Sequence, residues 1–524
     1  MKTKRQYFLN ALLLTAVALL MRTVSVSFNV YVSNRVGAEA MGLLSLVGSV
    51  YGFATTLATS GIHLATVRTV AERLERSGGA ENRRCLLACL SYALFFGTLS
   101  SILLFGLSAP IGRLLLHDVR TVRALRLLSF TLLPIALTSV LNGYFTAVRR
   151  AWKNAIAQVA EQAIKISLTG YLLVAVAPKT VEGCMLAILL GGAVSESVSL
   201  VLNLVLYVAD KRHFRHVGTA KYSGPIRVAA VAMPVAISAY ARSGLLAIEH
   251  ILIPRGLIAF GAGSSAALAS YGSLHSMALP VVLYPAAILS SFSALLIPEV
   301  TEQQAAGNEV EIRYIAGRVY QMTFLFSIGV AGAMLCLSGE LGQVLYDSSE
   351  VAAFIRALAP LIPVMYLDTA TDAMLKGMGE QVYSMNVNIL DAFVSVVAVW
   401  LLVPCFGIWG YLITIYITEI LNAALSIARL LRISRYRPRI FTLLVRPLAA
   451  VIGASCILTL LHRLLPFAVH SGGLSLTLHI LLLAALYVLL LALTGTFGKS
   501  DATWLLRSLF PTKEQIAQAQ TAKK

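Results

Sequence analysis

Several charged side chains stand inside long apolar runs, and they are the first candidates for chemistry. The clearest is Arg22, near the middle of the run from Phe8 to Asn34, which is long enough to cross a bilayer. An arginine at mid-bilayer costs about 2.5–3.5 kcal/mol on insertion scales, so its guanidinium usually faces water, a partner or a ligand. On a helical wheel, one stripe carries Thr15, Arg22, Ser25, Asn29 and Ser33. We therefore expect one polar face along this helix.

A second group of charges lies in a later apolar run. Asp368, Asp372 and Lys376 are spaced at i, i+4 and i+8, so a helix brings them onto one face. A carboxylate pair inside a membrane can carry a coupling proton or Na⁺, which makes Asp368 and Asp372 candidate ion-coupling residues. Lys376 is also placed to neutralise Asp372 in an ordinary i, i+4 ion pair. Three further acids stand singly in apolar runs as candidates for cavity lining: Glu196, Asp391 and Glu419.

The elements that position these residues are membrane spans. The chain has 524 residues, of which 58% are hydrophobic and only 13% are charged, and its mean hydropathy is +0.80. A soluble domain of this length could not carry so much apolar surface. The formal net charge of +18 comes from Lys and Arg in short segments between apolar runs, which favours anionic lipid over nucleic acid as the counter-charge. We predict a polytopic membrane protein with no nucleic-acid partner.

Apolar runs of about 20–30 residues recur along the chain and predict about fourteen transmembrane helices. Among them are the spans 7–34, 41–71, 121–148 and 266–298. Alternate connections are rich in Lys and Arg, for example Arg149, Arg150 and Lys153, and the positive-inside rule places them on the cytoplasmic side. Both termini are then expected to be cytoplasmic.

The chain also repeats itself. The segment Leu107–Leu115 aligns with Leu337–Leu345 at a shift of 230 residues. The same shift holds over a stretch too long to result from similar composition alone. Pairs at the same shift include Gly42 with Gly272, Arg83 with Arg313, and Glu161 with Asp391. The repeat predicts an all-α fold of two six-helix lobes with the same orientation in the membrane. The predicted boundaries are 1–215 and 216–438 for the lobes, 439–498 for helices thirteen and fourteen, and 499–524 for a cytoplasmic tail.

The repeat gives Arg22 a counterpart. Upstream of the first shift the offset is 220, which pairs Arg22 with Arg242 and Asn29 with Glu249. Transporters built from such repeats bind substrate between the halves near the midplane, and guanidinium groups match phosphate oxygens. Arg22, Asn29, Arg242 and Glu249 are therefore the predicted substrate-binding residues. The alternative is a structural role, in which each arginine forms a salt bridge, Arg242 with Glu249.

No motif predicts a catalytic centre. Gly495–Ser500 resembles a phosphate loop, but the spacing G-x-x-x-x-G-K-[ST] requires glycine at the position of Leu493. The outer loops are short and poor in paired carboxylates, which argues against a membrane glycosyltransferase. The six cysteines lack metal-ligand spacing. We expect no enzyme, no catalytic residue and no metal site; the only expected cofactor is a coupling ion, Na⁺ or H⁺, with the membrane potential as another driving force.

Two segments resemble a known family. They are Gly42–Tyr51 with Thr55–Ile62 in the second helix, and Tyr271–Leu274 with Ala278–Pro280 in the eighth. Both resemble the stage V sporulation protein B-like branch of polysaccharide exporters. That branch belongs to the superfamily that also contains the multidrug and toxin extrusion (MATE) proteins and the lipid II flippase MurJ, called the MOP superfamily. The resemblance covers nearly all of residues 1–500.

The resemblance implies a V-shaped fold of two six-helix lobes with a central cavity and alternating access. It also implies a substrate, a polyprenyl-pyrophosphate-linked oligosaccharide moved from the inner to the outer leaflet of a bacterial cytoplasmic membrane. In MurJ-like proteins helices thirteen and fourteen form a groove for the lipid tail, and Phe441 to Gly498 would be the counterpart. The expected partners are this anionic lipid-linked saccharide, membrane lipids and cell-wall synthesis enzymes, and the expected state is a monomer.

The sequence departs from the resemblance at one informative place. MurJ-like first helices tend to read R-x-x-x-x-x-R-D, and here Phe28 and Asn29 occupy the last two positions after Arg22. This favours a lipid-linked oligosaccharide flippase in general over a lipid II flippase in particular. Two alternatives remain open: a cation-coupled multidrug exporter that depends on Asp368, Asp372 or Glu249, and a non-transporting scaffold for cell-wall enzymes.

Overall fold

The structure is a computed structural model that describes residues 2–76, 83–150, 152–176, 180–211, 224–436, 438, 440–464 and 472–498. Every regular element in these ranges is helical. Twelve helices in the described part of the chain are long and apolar enough to cross a membrane. The predicted all-α polytopic membrane fold is therefore confirmed, with about fourteen as an approximate helix count. The predicted tail, 499–524, lies outside the described residues.

The helices follow one another in this order: α1 Lys2–Thr59, α2 Ile62–Arg76, α3 Arg83–Pro110, α4 Arg120–Ser129, α5 Leu132–Ala147, α6 Trp152–Tyr171, α7 Val181–Lys211, α8 Gly224–Ala259, α9 Ser264–Gly272, α10 Leu279–Leu283, α11 Ala286–Ala305, α12 Glu309–Tyr346, α13 Ser349–Leu358, α14 Ile362–Gly377, α15 Gln381–Phe406, α16 Ile408–Ser434, α17 Ile440–Leu464 and α18 Gly473–Leu493. Short π-helical segments cover Ile111–Leu115, Leu172–Val176 and Ser273–Ala278.

The first two predicted spans join without a loop. Gly37 lies inside α1 with φ 84° and ψ 169°, a conformation that glycine adopts without steric cost, and it redirects the chain there. The prediction of one helix over 41–71 is wrong, because α1 ends at Thr59 and α2 begins at Ile62. Ser60 and Gly61 between them both have positive φ, and Ser-Gly is a turn-favouring pair that the hydropathy pattern hides.

Two other predicted spans are also broken. Residues 266–298 are not one helix but α9, the π-helical segment Ser273–Ala278, α10 and α11. Residues 121–148 divide into α4 and α5 around Phe130. Pro134 explains that break, because it has no N–H to donate to the Phe130 carbonyl four residues earlier.

The described chain forms two compact units. The first, here called the α12 unit, contains residues 1–34, 273–391 and those from 412 onward; the second, called the α3 unit, contains 35–272 and 392–411. These units differ from the predicted lobes, because the first part of α1 packs with helices of the second lobe and α8 packs with helices of the first. The lobe boundaries at 215 and 438 concern the repeat and stay a prediction.

Buried tyrosines tie helices together inside the α12 unit. The Tyr366 hydroxyl donates to the Val282 carbonyl at 2.8 Å, and the Tyr487 hydroxyl donates to the Leu325 carbonyl at the same distance. Both rings are buried, so each hydroxyl needs such a partner. These bonds fix α14 against α10, and α18 against α12.

Candidate functional site

Arg22 lies on α1, in the part that belongs to the α12 unit. Its side chain is exposed, and it has no hydrogen-bond or ion-pair partner among the described residues. The neighbouring Thr23 fixes the helix, because its hydroxyl hydrogen-bonds the Tyr284 hydroxyl at 2.8 Å. The helix is therefore anchored beside Arg22 while the guanidinium stays available.

Asn29 lies two helical turns beyond Arg22 on the same face of α1. It is half-buried and already has a hydrogen-bond partner. Its Nδ2 donates to the Ser276 carbonyl at 3.0 Å. Ser276 lies in the π-helical segment Ser273–Ala278, where the backbone bonding pattern shifts and carbonyl groups need other donors. Asn29 therefore helps to hold α1 against this segment, and a role in substrate binding stays a prediction. Thr15 of the predicted polar stripe has its side chain outside the described residues.

Arg242 lies on α8, in the α3 unit. Like Arg22 it is exposed, and no described residue pairs with it, Glu249 included. The adjacent Ser243 anchors the helix, because the Thr56 hydroxyl donates to Ser243 Oγ at 3.1 Å. The alternative structural role, a salt bridge between Arg242 and Glu249, is thus absent from the described part of the structure.

Glu249 is buried, with 7% of its surface exposed. Tyr271 and Tyr411, both in the α3 unit, lie close enough for their hydroxyls to interact electrostatically with this carboxylate. The Tyr271 hydroxyl also hydrogen-bonds His250 Nδ1 at 2.9 Å. Glu249 therefore belongs to a buried tyrosine–histidine cluster, and no contact in the described structure joins it to Arg242.

The environments of the two arginines are equivalent under the repeat. Thr23 and Ser243 are separated by the predicted shift of 220, and each bonds to a residue of the other lobe through its hydroxyl. Further along the same helices, Asn34 Nδ2 donates to the Leu345 carbonyl at 2.7 Å, and Arg255 Nη2 donates to the Leu115 carbonyl at 2.6 Å. Leu115 and Leu345 are 230 residues apart. The first helix of each lobe therefore packs against the third helix of the other lobe.

Asp372 forms the structural ion pair that the sequence left open. Its Oδ2 lies 2.5 Å from Lys376 Nζ, and Oδ1 accepts a hydrogen bond from the Ser384 hydroxyl. At the equivalent positions of the first lobe, Asn154 Nδ2 donates to the Asn142 carbonyl at 3.1 Å. A neutral contact therefore joins the equivalent helices of the first lobe, and an ion-coupling role for Asp372 stays a prediction.

Asp368 has a different environment. One carboxylate oxygen, Oδ1, is buried without a hydrogen-bond partner in the described structure. The carboxylates of Asp372, Asp391 and Glu419 interact with it electrostatically, and the Ser426 hydroxyl lies beside it. Asp368, Asp391 and Glu419 come from α14, α15 and α16, all within the α12 unit, so one site contains carboxylates that the sequence presents as unrelated.

The spacing of residues in the sequence does not reveal this grouping. It presents Asp391 and Glu419 as single acids, and it pairs Asp368 with Asp372 alone, at i, i+4. A usable signal was the repeat, since Asp391 aligns with Glu161 and Ser426 with Glu196 at a shift of 230. In the first lobe Glu161 and Glu196 also interact with each other.

Known proteins resemble this chain in sequence. Stage V sporulation protein B of Bacillus subtilis (strain 168) is 26% identical over 447 residues, which is 82% of this chain and 85% of that protein. This agrees with the resemblance seen in the second and eighth helices.

Solved structures share the fold. The lipid II flippase MurJ in an inward closed conformation superposes with a TM-score of 0.67 at 11% identity, over 92% of this chain and 98% of MurJ. An inward-facing multidrug resistance MATE family transporter of the MOP superfamily superposes with a TM-score of 0.62 at 13% identity, over 80% of this chain and 98% of that protein. The chain therefore has the fold of MOP superfamily transporters.

The sequence model of one protein family matches more than half of the chain. It is described as polysaccharide biosynthesis protein, and it matches residues 8–302. The matched region contains α1, α8 and both candidate arginines. The chain belongs to the polysaccharide biosynthesis protein family.

Proposed function

We propose that this protein is a flippase that moves a polyprenyl-pyrophosphate-linked oligosaccharide from the inner to the outer leaflet by alternating access. The observation that carries the proposal is the state of Arg22 and Arg242, which are exposed and without partners among the described residues. An unpaired arginine in a membrane helix is costly and is kept where it meets a ligand. An arginine that served only as a structural strut would need an acidic partner.

The chemistry of the substrate supports this role. A pyrophosphate carries several anionic oxygens, and a guanidinium binds two of them at once in a fork. Moving such a head group across the bilayer requires donors that replace part of its hydration, and it requires no covalent step. A transporter of this kind needs no catalytic residue, which agrees with the lack of catalytic motifs in the sequence.

The family supports the substrate class. Its description names polysaccharide biosynthesis, and MurJ, which shares the fold, is named a lipid II flippase. Phe28 stands where a second arginine is usual in MurJ-like first helices, so we propose a saccharide carrier other than lipid II. The proposed setting is a bacterial cytoplasmic membrane with both termini in the cytoplasm, where the protein works as a monomer beside cell-wall synthesis enzymes.

Flipping in proteoliposomes tests the proposal. We expect Arg22→Ala and Arg242→Ala each to lower the flipping rate of a fluorescent polyprenyl-pyrophosphate saccharide by about 10- to 100-fold, the effect of losing one charge-assisted bidentate contact. Arg35→Ala is the control, because Arg35 is an exposed arginine about 20 Å further along α1. Wild-type rates in both arginine variants would overturn the assignment of these residues.

A second candidate function is cation-coupled export of drugs. The site formed by Asp368, Asp391 and Glu419 favours it, because three acids near one another and a carboxylate oxygen without a partner suit a bound proton or Na⁺. Dye efflux under an imposed Na⁺ or H⁺ gradient tests it. Efflux that depends on the gradient and is lost in Asp368→Asn supports the exporter, whereas saccharide flipping without dye efflux supports the flippase.

A further inference from the structure

A basic cavity of about 1210 Å³ lies inside the α12 unit. It is bounded by the beginning of α12, the end of α16, the beginning of α17 and the residues after α18. Five of the described lining residues are arginines, and none of the described lining residues is an acid. They are Arg313, Arg318, Arg432, Arg435 and Arg446. This density of positive charge in one concave site favours the binding of an anion.

The chain neutralises only part of this charge. Arg435 forms an ion pair with Glu309 at 2.9 Å, at the margin of the cavity. Three of the arginines, Arg313, Arg432 and Arg446, are exposed and have no partner among the described residues. The guanidinium groups therefore offer several donors that the described protein does not use.

The walls of the cavity are shaped by close packing. Arg318 lies over the Tyr314 ring at 5.4 Å, and its Nε donates to the Tyr314 hydroxyl at 3.2 Å. On the opposite wall Tyr436 packs against Gly317, where an added Cβ would lie 3.0 Å from the ring. Tyr436 also packs edge-on against the buried Tyr320, with 5.8 Å between ring centroids. Packed aromatic rings therefore form part of the lining of the cavity.

We propose that this cavity binds a phosphate-bearing anion, and that the anion is the head group of an acidic membrane phospholipid. Arginine recognises phosphate through paired N–H groups, and basic pockets between membrane helices suit lipid head groups. The volume exceeds that of a single phosphate and accommodates a glycerophosphate head group. None of Arg22, Asn29, Arg242 and Glu249 lines the cavity, although it borders the segment Phe441 to Gly498 that the resemblance assigns to the lipid tail of the substrate.

The outer face of α17 supports a lipid over a soluble phosphate. Next to Arg446 this helix exposes an apolar stripe at i, i+4, i+7 and i+11, made of Phe441, Val445, Leu448 and Ile452. Phe441 is 74% exposed and Ile452 is 60% exposed. An acyl chain that runs along this stripe would keep its phosphate at the arginines, whereas a soluble anion would gain nothing from it.

Native mass spectrometry of the full chain tests the proposal. The protein is mixed with equal amounts of phosphatidylglycerol and phosphatidylcholine, and the lipid retained on each variant is measured. The test variant is Arg313→Gln/Arg446→Gln. The control is Arg149→Gln/Arg150→Gln, which removes the same charge from the basic connection of the other lobe. A parallel thermal-shift series uses inorganic pyrophosphate as the soluble anion.

We expect the wild-type protein to retain phosphatidylglycerol over phosphatidylcholine, the control to match it, and the test variant to lose at least about tenfold in that preference. A melting temperature that rises with pyrophosphate, in the wild type and the control but not in the test variant, would place a soluble phosphate in the cavity and overturn the lipid assignment. Equal phosphatidylglycerol retention by all three proteins, without a pyrophosphate shift, would overturn the anion site itself.

Discussion

Gly42 and Gly272 pack backbone against backbone. A Cβ added to Gly272 would lie 2.6 Å from the Gly42 amide nitrogen and 2.2 Å from the Ala38 carbonyl oxygen. The two glycines are 230 residues apart, so they are equivalent positions of the repeat that meet in space. The contact lies within the α3 unit, between the second part of α1 and the end of α9. Any side chain at either position would separate these helices.

We therefore predict that Gly272→Ala lowers the free energy of unfolding by about 1–3 kcal/mol, the usual cost of overpacking against backbone that cannot move. Gly42→Ala should do the same, because its Cβ would lie 1.9 Å from the Leu268 carbonyl oxygen. Gly48→Ala is the control on the same helix, with nothing within 4 Å of its Cβ. Melting temperatures in detergent measure the effect, and equal values for Gly48→Ala and Gly272→Ala would contradict it.

The first helix of each lobe packs against the third helix of the other lobe, and this contact gives a second prediction. Arg255→Met removes two hydrogen bonds, from Nη2 to the carbonyls of Leu114 and Leu115, at the end of a π-helical segment. Asn34→Ala removes the bond to Leu345, the residue that corresponds to Leu115 in the repeat. We expect both variants to be less stable, Asn34→Ala by about 1 kcal/mol and Arg255→Met by more, because its donor is charged.

The same melting measurement checks this prediction against Arg113→Met. Arg113 is an exposed arginine of the π-helical segment itself and has no partner in the described structure. Its loss should leave stability unchanged. A larger effect for Arg113→Met than for Arg255→Met would show that general charge, and not the carbonyl contact, stabilises this region.

Asp368 and Asp372 should respond in opposite ways to loss of their charge. Asp372→Asn breaks the ion pair with Lys376 and should lower the melting temperature. Asp368→Asn removes a charge near three other acids, Asp372, Asp391 and Glu419, and should leave stability equal or higher. If Asp368 binds the coupling ion, its variant alone should lose the response of transport to an imposed Na⁺ or H⁺ gradient. Gradient dependence that is lost only in Asp372→Asn would reverse these roles.

A fourth prediction concerns two equivalent serines. Arg126 Nε donates to Ser108 Oγ at 3.2 Å, and Arg356 Nε donates to Ser338 Oγ at 3.0 Å; both pairs are related by a shift of 230. Each serine is fully buried and each arginine is exposed, so loss of the serine removes one charge-assisted hydrogen bond. Ser108→Ala and Ser338→Ala should each cost about 1–3 kcal/mol of stability, and by similar amounts.

Chemical unfolding of these serine variants is compared with that of Ser91→Ala. Ser91 bonds only to the Ala88 carbonyl of its own helix, so its removal should change little. Dissimilar costs for Ser108→Ala and Ser338→Ala would mean that the two lobes do not use this contact in the same way.

The sequence by itself determined the fold class, the repeat and the pair Arg22 and Arg242. Hydropathy reports membrane spans directly, because lipid requires an apolar surface over the length of a helix. The repeat was visible because equivalent contacts, such as Arg126–Ser108 and Arg356–Ser338, keep the same residues at the same spacing. Helix breaks at Gly37, Ser60 and Phe130 are less visible in the sequence, because a break changes the mean hydropathy of a span very little.

Only the tertiary structure decided which distant residues meet. It packs the first part of α1 with the second lobe and α8 with the first, brings Asp391 and Glu419 beside Asp368, and gathers arginines of α12, α16 and α17 around one cavity. Of those arginines, the sequence used only Arg313, as a position of the repeat. Periodicity places a residue on one face of its own helix, but the neighbour that this face meets depends on how the helices pack, and packing is set by the close contacts of the whole bundle.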